Sequence, residues 1–347
     1  MSRFSVLVAW VIGMLVLFFA GSSVHAQVAC GVTITQTVAL EKDLICNTPI
    51  GLVVEGPAGQ LDLKGHTVRC VSGNNTHGIV LAGEQARVTN GAVTGCESGV
   101  VAGEGGQHHI VGVKSREHAG SGFTTGGVDG FLRSNGNFFF NNHAENCLTG
   151  FHILSNQNLL AHNTSSENKT GYILTQDRNK LVLNSAKHNT GQGFYIASRA
   201  RDNHLIKNFA TENFLEGFAI EGHQNKLVKN HSAGNGGEVM GAGFRISEAN
   251  KNLLFYNVSE NNSGNGFEIE GFFTPAGNNV LRGNTAKNNK DVGIALHLLA
   301  ENNFLIQNTA VGNAMFDLQS RSLGCFANQW VQNTSETADP QECIQSD

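Results

Sequence analysis

Between residues 137 and 313 the apolar positions of this chain recur at fixed distances from asparagines. Asn158, Asn163 and Asn168 stand five apart, as do Asn179, Asn184 and Asn189, and the spacing returns from Asn203, Asn225, Asn252, Asn279 and Asn303. A first copy has Asn137 and Asn142, with Cys147 in third place. Two residues after each first Asn stands a large apolar side chain: Phe139, Leu160, Leu181, Leu205, Leu227, Leu254, Leu281 and Leu305. Two residues after each second Asn stands Ala or Ser, from Ala144 to Ala310. The third Asn leads into a Gly and an alternating run, as in Gly193-Phe194-Tyr195-Ile196, Gly217-Phe218-Ala219-Ile220, Gly243-Phe244-Arg245-Ile246 and Gly266-Phe267-Glu268-Ile269.

Alternation with period two is strand chemistry, and no helix-length amphipathic segment interrupts it. A period of 21 to 27 residues marks a solenoid in which each repeat is one coil. The pattern predicts an all-β chain: a single right-handed parallel β-helix of about twelve coils, three short strands to a coil, with disulfide-stapled ends. Coil stacking at ~4.8 Å gives a rod of roughly 55–60 Å. Asn suits this scaffold twice over, since it tolerates the left-handed backbone of tight turns and its amide can hydrogen-bond up a stack. Cys147 is expected as a small buried substitute in an Asn row.

The expected organisation is a signal peptide over 1–26, an N-terminal cap over 27–50, the β-helix over 51–320 and a C-terminal cap over 321–347. Arg3, the apolar run Val6 to Ala20 and the small residues around Val24-His25-Ala26 motivate the leader. The chain is then secreted or periplasmic, with no membrane span after signal removal, and is taken as a monomer. Export permits disulfides. Cys30 and Cys46 flank the first strands and Cys325 and Cys343 bracket the last residues, so each pair is placed to staple an end; Cys70 and Cys96 lie about one coil apart in matching contexts. Spacing alone leaves the connectivity open. The chain carries 23 Lys and Arg against 28 Asp and Glu, and losing the leader removes only Arg3, so no nucleic-acid partner is expected.

The repeat resembles the right-handed β-helix proteins of the pectate-lyase-like superfamily. Cys30-Gly31, Cys46 and Leu61-Asp62-Leu63-Lys64-Gly65-His66-Thr67 look like the first coils of other secreted members. Asn-x-Leu-x-x-Asn with Gly-Phe-x-Ile looks like the β-helix of the periplasmic copper-maturation proteins that serve nitrous oxide reductase, and of mannuronan epimerases. The resemblance covers nearly the whole mature chain. It implies a sugar-binding groove along one face, while the fold itself carries many activities. The Asn-Thr-Asp, Asp-Asp and Gly-His-Gly segments of polygalacturonases are absent, as are a calcium-lyase carboxylate cluster and the Asp-Pro-His of alginate epimerases.

The outward residues of the Gly-Phe-x-Ile runs form a row: His152, Ile173, Tyr195, Ala219, Arg245, Glu268 and Ala295. Two positions on lies a second row with Glu221, Ser247, Glu270 and His297, followed by loops holding Arg199, Arg201, His223 and Glu248. Variation over a constant scaffold is where a solenoid places a binding site. The functional reading makes Tyr195, Arg199, Arg201 and Arg245 substrate-binding groups and Glu221, Glu268, Glu270 and His297 acid/base groups for an extracellular, uronate-rich polysaccharide processed by a lyase, hydrolase or epimerase. The competing readings are a solvated strand face and a non-catalytic structural or accessory protein. Lys180, His204 and Lys226, with Lys207 and Lys229, make a basic stripe elsewhere, read as a solubilising face. Of 14 histidines, the densest group is His108, His109 and His118, and no spacing matches a ligand motif, so no metal or cofactor is assigned.

Overall fold

The computed structural model describes residues 28–71, 75–126, 134–238, 240–322 and 327–344. The chain winds into a parallel β-helix with three faces. The first face is a sheet of fourteen strands, from Val32–Ile34 to Ala338–Asp339. Twelve of these run from Ile50–Glu55 to Leu318–Ser320, and one further strand continues the sheet at each end. The second and third faces carry the strands after the first and second Asn, such as Lys180–Val182 and Ser185–Lys187. These two faces merge only where Arg87–Thr94 and His109–Arg116 run unbroken through the corner between them. The expected leader lies outside the described residues, and among those described no helix is long and apolar enough to cross a membrane.

Period-two alternation puts one side of every strand in the core. Leu160, Leu181, Leu205, Leu227, Leu254, Leu281 and Leu305 stack in register and are fully buried. Opposite them Phe123, Phe151, Tyr172, Phe194, Phe218, Phe244 and Phe267 stack ring on ring, with centroids 4.6 to 4.8 Å apart. The coil spacing therefore matches aromatic stacking distance. The buried Tyr172 hydroxyl is satisfied by donating to Asn163 O at 2.9 Å. The Gly that opens each run is a matter of space: a Cβ on Gly243 would sit 1.9 Å from Ser259 Oγ.

The asparagines form three ladders. In the second, Asn208 donates both its backbone N–H (2.9 Å) and its amide Nδ2 (3.0 Å) to Asn230 Oδ1, and Asn230 repeats the pattern onto Asn257. Each amide also caps a backbone carbonyl, as Asn230 Nδ2 does for Leu205 O at 2.9 Å. The first two ladders continue one coil beyond the eight copies, to Asn328 and Asn333.

One expectation is corrected. The left-handed backbone belongs to the residue before each ladder Asn: Arg178 (φ 58°), Leu183 (56°), Lys207 (54°), Lys229 (55°) and Tyr256 (56°), with Gly234, Gly283 and Gly312 at equivalent corners. The ladder Asn is selected for its amide, and the bonds of that amide hold a strained neighbour in place.

Toward the N-terminus the third ladder changes chemistry. Cys147 donates its backbone N–H to Asn168 Oδ1 at 2.8 Å, and its free thiol is buried and pushed up to about 11, chiefly by burial. One position earlier in the same corner, His118 Nδ1 takes the Oδ1 role and accepts from Cys96 N–H at 3.2 Å. Cys46 faces Cys70 in register, Cys30 bonds Cys46, and Cys70 bonds Cys96 across adjacent coils. Cys343 is disulfide-bonded, while Cys325, its expected partner, lies outside the described residues. Reducing the two N-terminal bridges, which close 16- and 26-residue separations, is expected to lower stability by ~3 kcal/mol each. Thermal melts with and without reductant test this; coincident curves would show that the bridges do not hold that end.

Candidate functional site

The first face presents its outward residues from Phe194–Ile196, Phe218–Ile220, Phe244–Ser247, Phe267–Glu270 and Ile294–Leu296. Strand register aligns Tyr195, Ala219, Arg245, Glu268 and Ala295, one per coil. The next outward row sets Ser247 opposite Glu270. Because both flanking positions of each strand are locked in the core, these side chains stand on a rigid base.

Three linked pairs occupy the face. The Tyr195 hydroxyl donates to Glu221 Oε2 at 2.6 Å, and burial together with this bond pushes the phenol well above its ordinary value, so it serves as a donor. The Arg245 guanidinium contacts Glu270 Oε1 and lies 3.2 Å from Glu216 Oε1. His297 Nε2 lies 2.9 Å from Glu268 Oε1. The pair is an ion pair at hydrogen-bond distance, and each partner favours the charged form of the other.

These neighbours split the two carboxyls of Phe267–Glu270. Burial pushes Glu268 up, but His297, Arg245 and Asn265 outweigh it and hold the group below the usual carboxylate range. Burial and the Glu268 charge push Glu270 up against the pull of Arg245. Contact with Glu268 raises His297 against burial, favouring the imidazolium. Two neighbouring carboxyls whose proton affinities are pushed apart, the higher of them still paired with Arg245, are an arrangement general acid/base chemistry uses.

Beside these pairs lies a groove of about 630 Å³ lined by Glu221, Arg245, Ser247, Glu248, Phe272 and Phe273 among others. Phe272 and Phe273 are 61% and 92% exposed. Their loop is tied down from the coil below, where Glu248 Oε1 accepts from Phe273 N–H at 2.6 Å, a bond that holds the carboxyl below its usual range.

Of the eight residues singled out from the sequence, six are brought together: Tyr195, Glu221, Arg245, Glu268, Glu270 and His297. Arg199 and Arg201 are exposed at the following corner, and among the described residues neither forms an ion pair with the cluster. Arg201 is held through its backbone, donating to Asp177 Oδ1 at 2.8 Å. Sequence reasoning missed Glu216, which precedes its strand's Gly, and the Phe pair. The signal for the Phe pair was the lengthening of two coils to 27 residues, the second through the insertion Gly271-Phe272-Phe273-Thr274-Pro275. The basic stripe does stack, with Lys180, His204 and Lys226 in register on the second face and Lys226 lying 5.8 Å over the Phe255 ring.

Among the described residues no three His, Cys, Asp or Glu side chains converge as metal ligands. The buried Cys147 thiol is held protonated, and both ring nitrogens of His118 are engaged, Nε2 with Ser115 Oγ at 3.0 Å and Nδ1 with Cys96.

The family described as periplasmic copper-binding protein (NosD) matches residues 118–271, less than half of the chain and most of the face just described. Among the described residues of that span no three ligand side chains converge on a point where a copper ion could sit, and Cys147 and His118 are already engaged within their corner. A search of the curated proteins finds no match. Among solved structures the chain is similar to the A-module of the mannuronan C-5 epimerase AlgE6 of Azotobacter vinelandii, with TM-score 0.60 and 15% identity over 88% of this chain and 91% of that one. It is similar to the periplasmic alginate epimerase AlgG in its T265N form, with TM-score 0.57 and 13% identity over 90% and 79% of the chains. The Dettilon tailspike protein follows at TM-score 0.57 and 12% identity, over 86% and 63%. At these identities the likeness is one of fold: the chain is a parallel β-helix similar in build to epimerases and a tailspike, and in its middle coils to the NosD family.

Proposed function

We propose that this chain is an exported β-helix protein, secreted or periplasmic, that binds a polysaccharide along its first face at the coils carrying Tyr195 to His297. The observation that carries the reading is the groove of about 630 Å³ on that face, with paired charges on a rigid floor and two exposed phenylalanines on its wall. Sugar rings stack their C–H faces on aromatic side chains, while carboxylates and guanidinium groups take their hydroxyls. The epimerase names among the similar structures belong to proteins that act on mannuronan and alginate, and they support a glycan over a small metabolite.

For processing of the bound chain, Glu270 is the group suited to give a proton and Glu268, paired with His297, the group suited to stay ionised. A non-catalytic accessory role is the second reading. It is favoured by the ion pairs that already engage Arg245, Glu270, Glu268 and His297, and by the match to the periplasmic NosD family.

A carbohydrate array followed by a product assay separates the two. New reducing ends, unsaturated sugars or epimers mark an enzyme, and binding without them marks a module. Replacing Phe272 and Phe273 by Ala is expected to weaken glycan binding ~10-fold or more, with the melting temperature unchanged because both rings lie in solvent. Undiminished binding would move the site elsewhere. Arg245→Ala is the poorer probe, since it strands Glu216 and Glu270 without a cation.

A further inference from the structure

We infer that the polysaccharide held in this groove carries no acidic groups. This rests on the binding role proposed above and concerns which glycan the site accepts. A uronate or sulfate needs a cation with charge to spare, and Arg245, the only Lys or Arg lining the groove, has none. It is bound on one side to Glu270 and on the other to Glu216, and these contacts hold it fully charged. His297 is neutralised by Glu268. The groove itself adds two more carboxylates: Glu221, whose Oε2 is bonded to Tyr195, and Glu248, which is held ionised by the Phe273 backbone. His223, the one imidazole in the lining, is held toward its neutral form by burial and by Arg201. Arg201 stands exposed at the rim, where solvent and salt screen it.

An incoming carboxylate would therefore have to displace Glu270 or Glu216 from Arg245 and sit beside Glu221 and Glu248. Like charges brought together in a cleft repel, and the screened charge at the rim does not compensate them. A hydroxyl-rich neutral chain meets the opposite situation. The groove offers it carboxylate acceptors and the exposed faces of Phe272 and Phe273. The same balance accepts an amino sugar. It separates this groove from one built for uronates, which would show unpaired Arg or Lys along the floor.

The test is calorimetric titration of the full exported chain with a neutral glucan, a polyglucosamine and a polymannuronate of matched length, each at low and high salt. The expected result is binding of the neutral or amino polymer, with polymannuronate weaker by ~10-fold or more at low salt. The double variant Glu221→Gln, Glu248→Gln should narrow that gap. Polymannuronate binding as tightly as the others would overturn this inference while leaving the groove as a glycan site. If none of the three binds, the glycan reading itself falls and this one with it.

Discussion

Replacing Asn230 by Ala is expected to lower stability by roughly 3–6 kcal/mol, among the largest effects of any single side chain in the molecule. The residue is fully buried. Its Oδ1 accepts from Asn208 N–H and Nδ2, and its Nδ2 donates to Leu205 O and Asn257 Oδ1. Truncation leaves the Asn208 N–H buried and unpaired at about 1–3 kcal/mol, takes one donor from the Leu205 carbonyl and one acceptor from the Asn208 amide, and opens a small void besides. The control is the neighbouring corner residue. Lys229 carries the left-handed backbone (φ 55°) with its side chain exposed. Lys229→Asn is therefore expected to shift stability by less than ~0.5 kcal/mol. Asn230→Gly separates the two roles of asparagine. A residue needed for its backbone would be rescued by Gly, whereas a ladder amide is not. Urea midpoints of the three variants decide; a Gly variant as stable as the wild type would contradict the ladder account.

Acid is expected to loosen the N-terminal half well before it titrates most carboxylates. His108 and His118 are buried and held neutral, each lowered from 6.5 to about 4, chiefly by burial. His118 accepts at Nδ1 from Cys96 N–H and meets Ser115 Oγ through Nε2, so its neutral ring is part of the third ladder. Protonation would end that acceptance: Nδ1–H could only donate, toward Cys96 O at 3.2 Å, and the Cys96 N–H would lose its partner. His108 Nδ1 is buried without a partner, and its proton would have no acceptor. Since the folded value lies below the unfolded one, the unfolded chain binds the extra proton. The stability from neutral rings is complete above pH 6.5 and is lost as pH falls through the range down to about 4, by ~3 kcal/mol for each ring. His118→Asn should flatten part of that slope, because an Asn amide can take the same ladder place. Unfolding midpoints measured between pH 7 and 4 that stay level in the wild type would remove this account.

The fold was legible because a solenoid repeats its constraints. Every coil asks the same of the Leu, Phe and Asn positions, so eight imperfect copies reinforce one another and the period, the strand run and the core rows could be read directly. What the repeat hid was the division of labour inside a corner. Arg178, Leu183, Lys207 and Tyr256 hold the strained backbone, yet they share no residue type that would mark them. The site was legible only in part, for the same reason. Outward positions such as Arg245 and Glu268 stand out against a constant scaffold. Their partners do not: Glu216 reaches Arg245 from the preceding coil, and Phe272 and Phe273 sit on an insertion that breaks the period. Arg199 and Arg201 looked like groove residues by sequence order, but the corner after Ala197 turns them out to solvent.

The most direct test of a glycan site on the first face compares two faces of the same rod. Titration calorimetry with the best-binding polymer from the array would be run on the wild type, on Phe272→Ala with Phe273→Ala, and on Lys207→Ala with Lys229→Ala from the opposite corner. The groove account predicts affinity lost in the phenylalanine pair and kept in the lysine pair. Loss in the lysine pair with binding intact in the phenylalanine pair would contradict it.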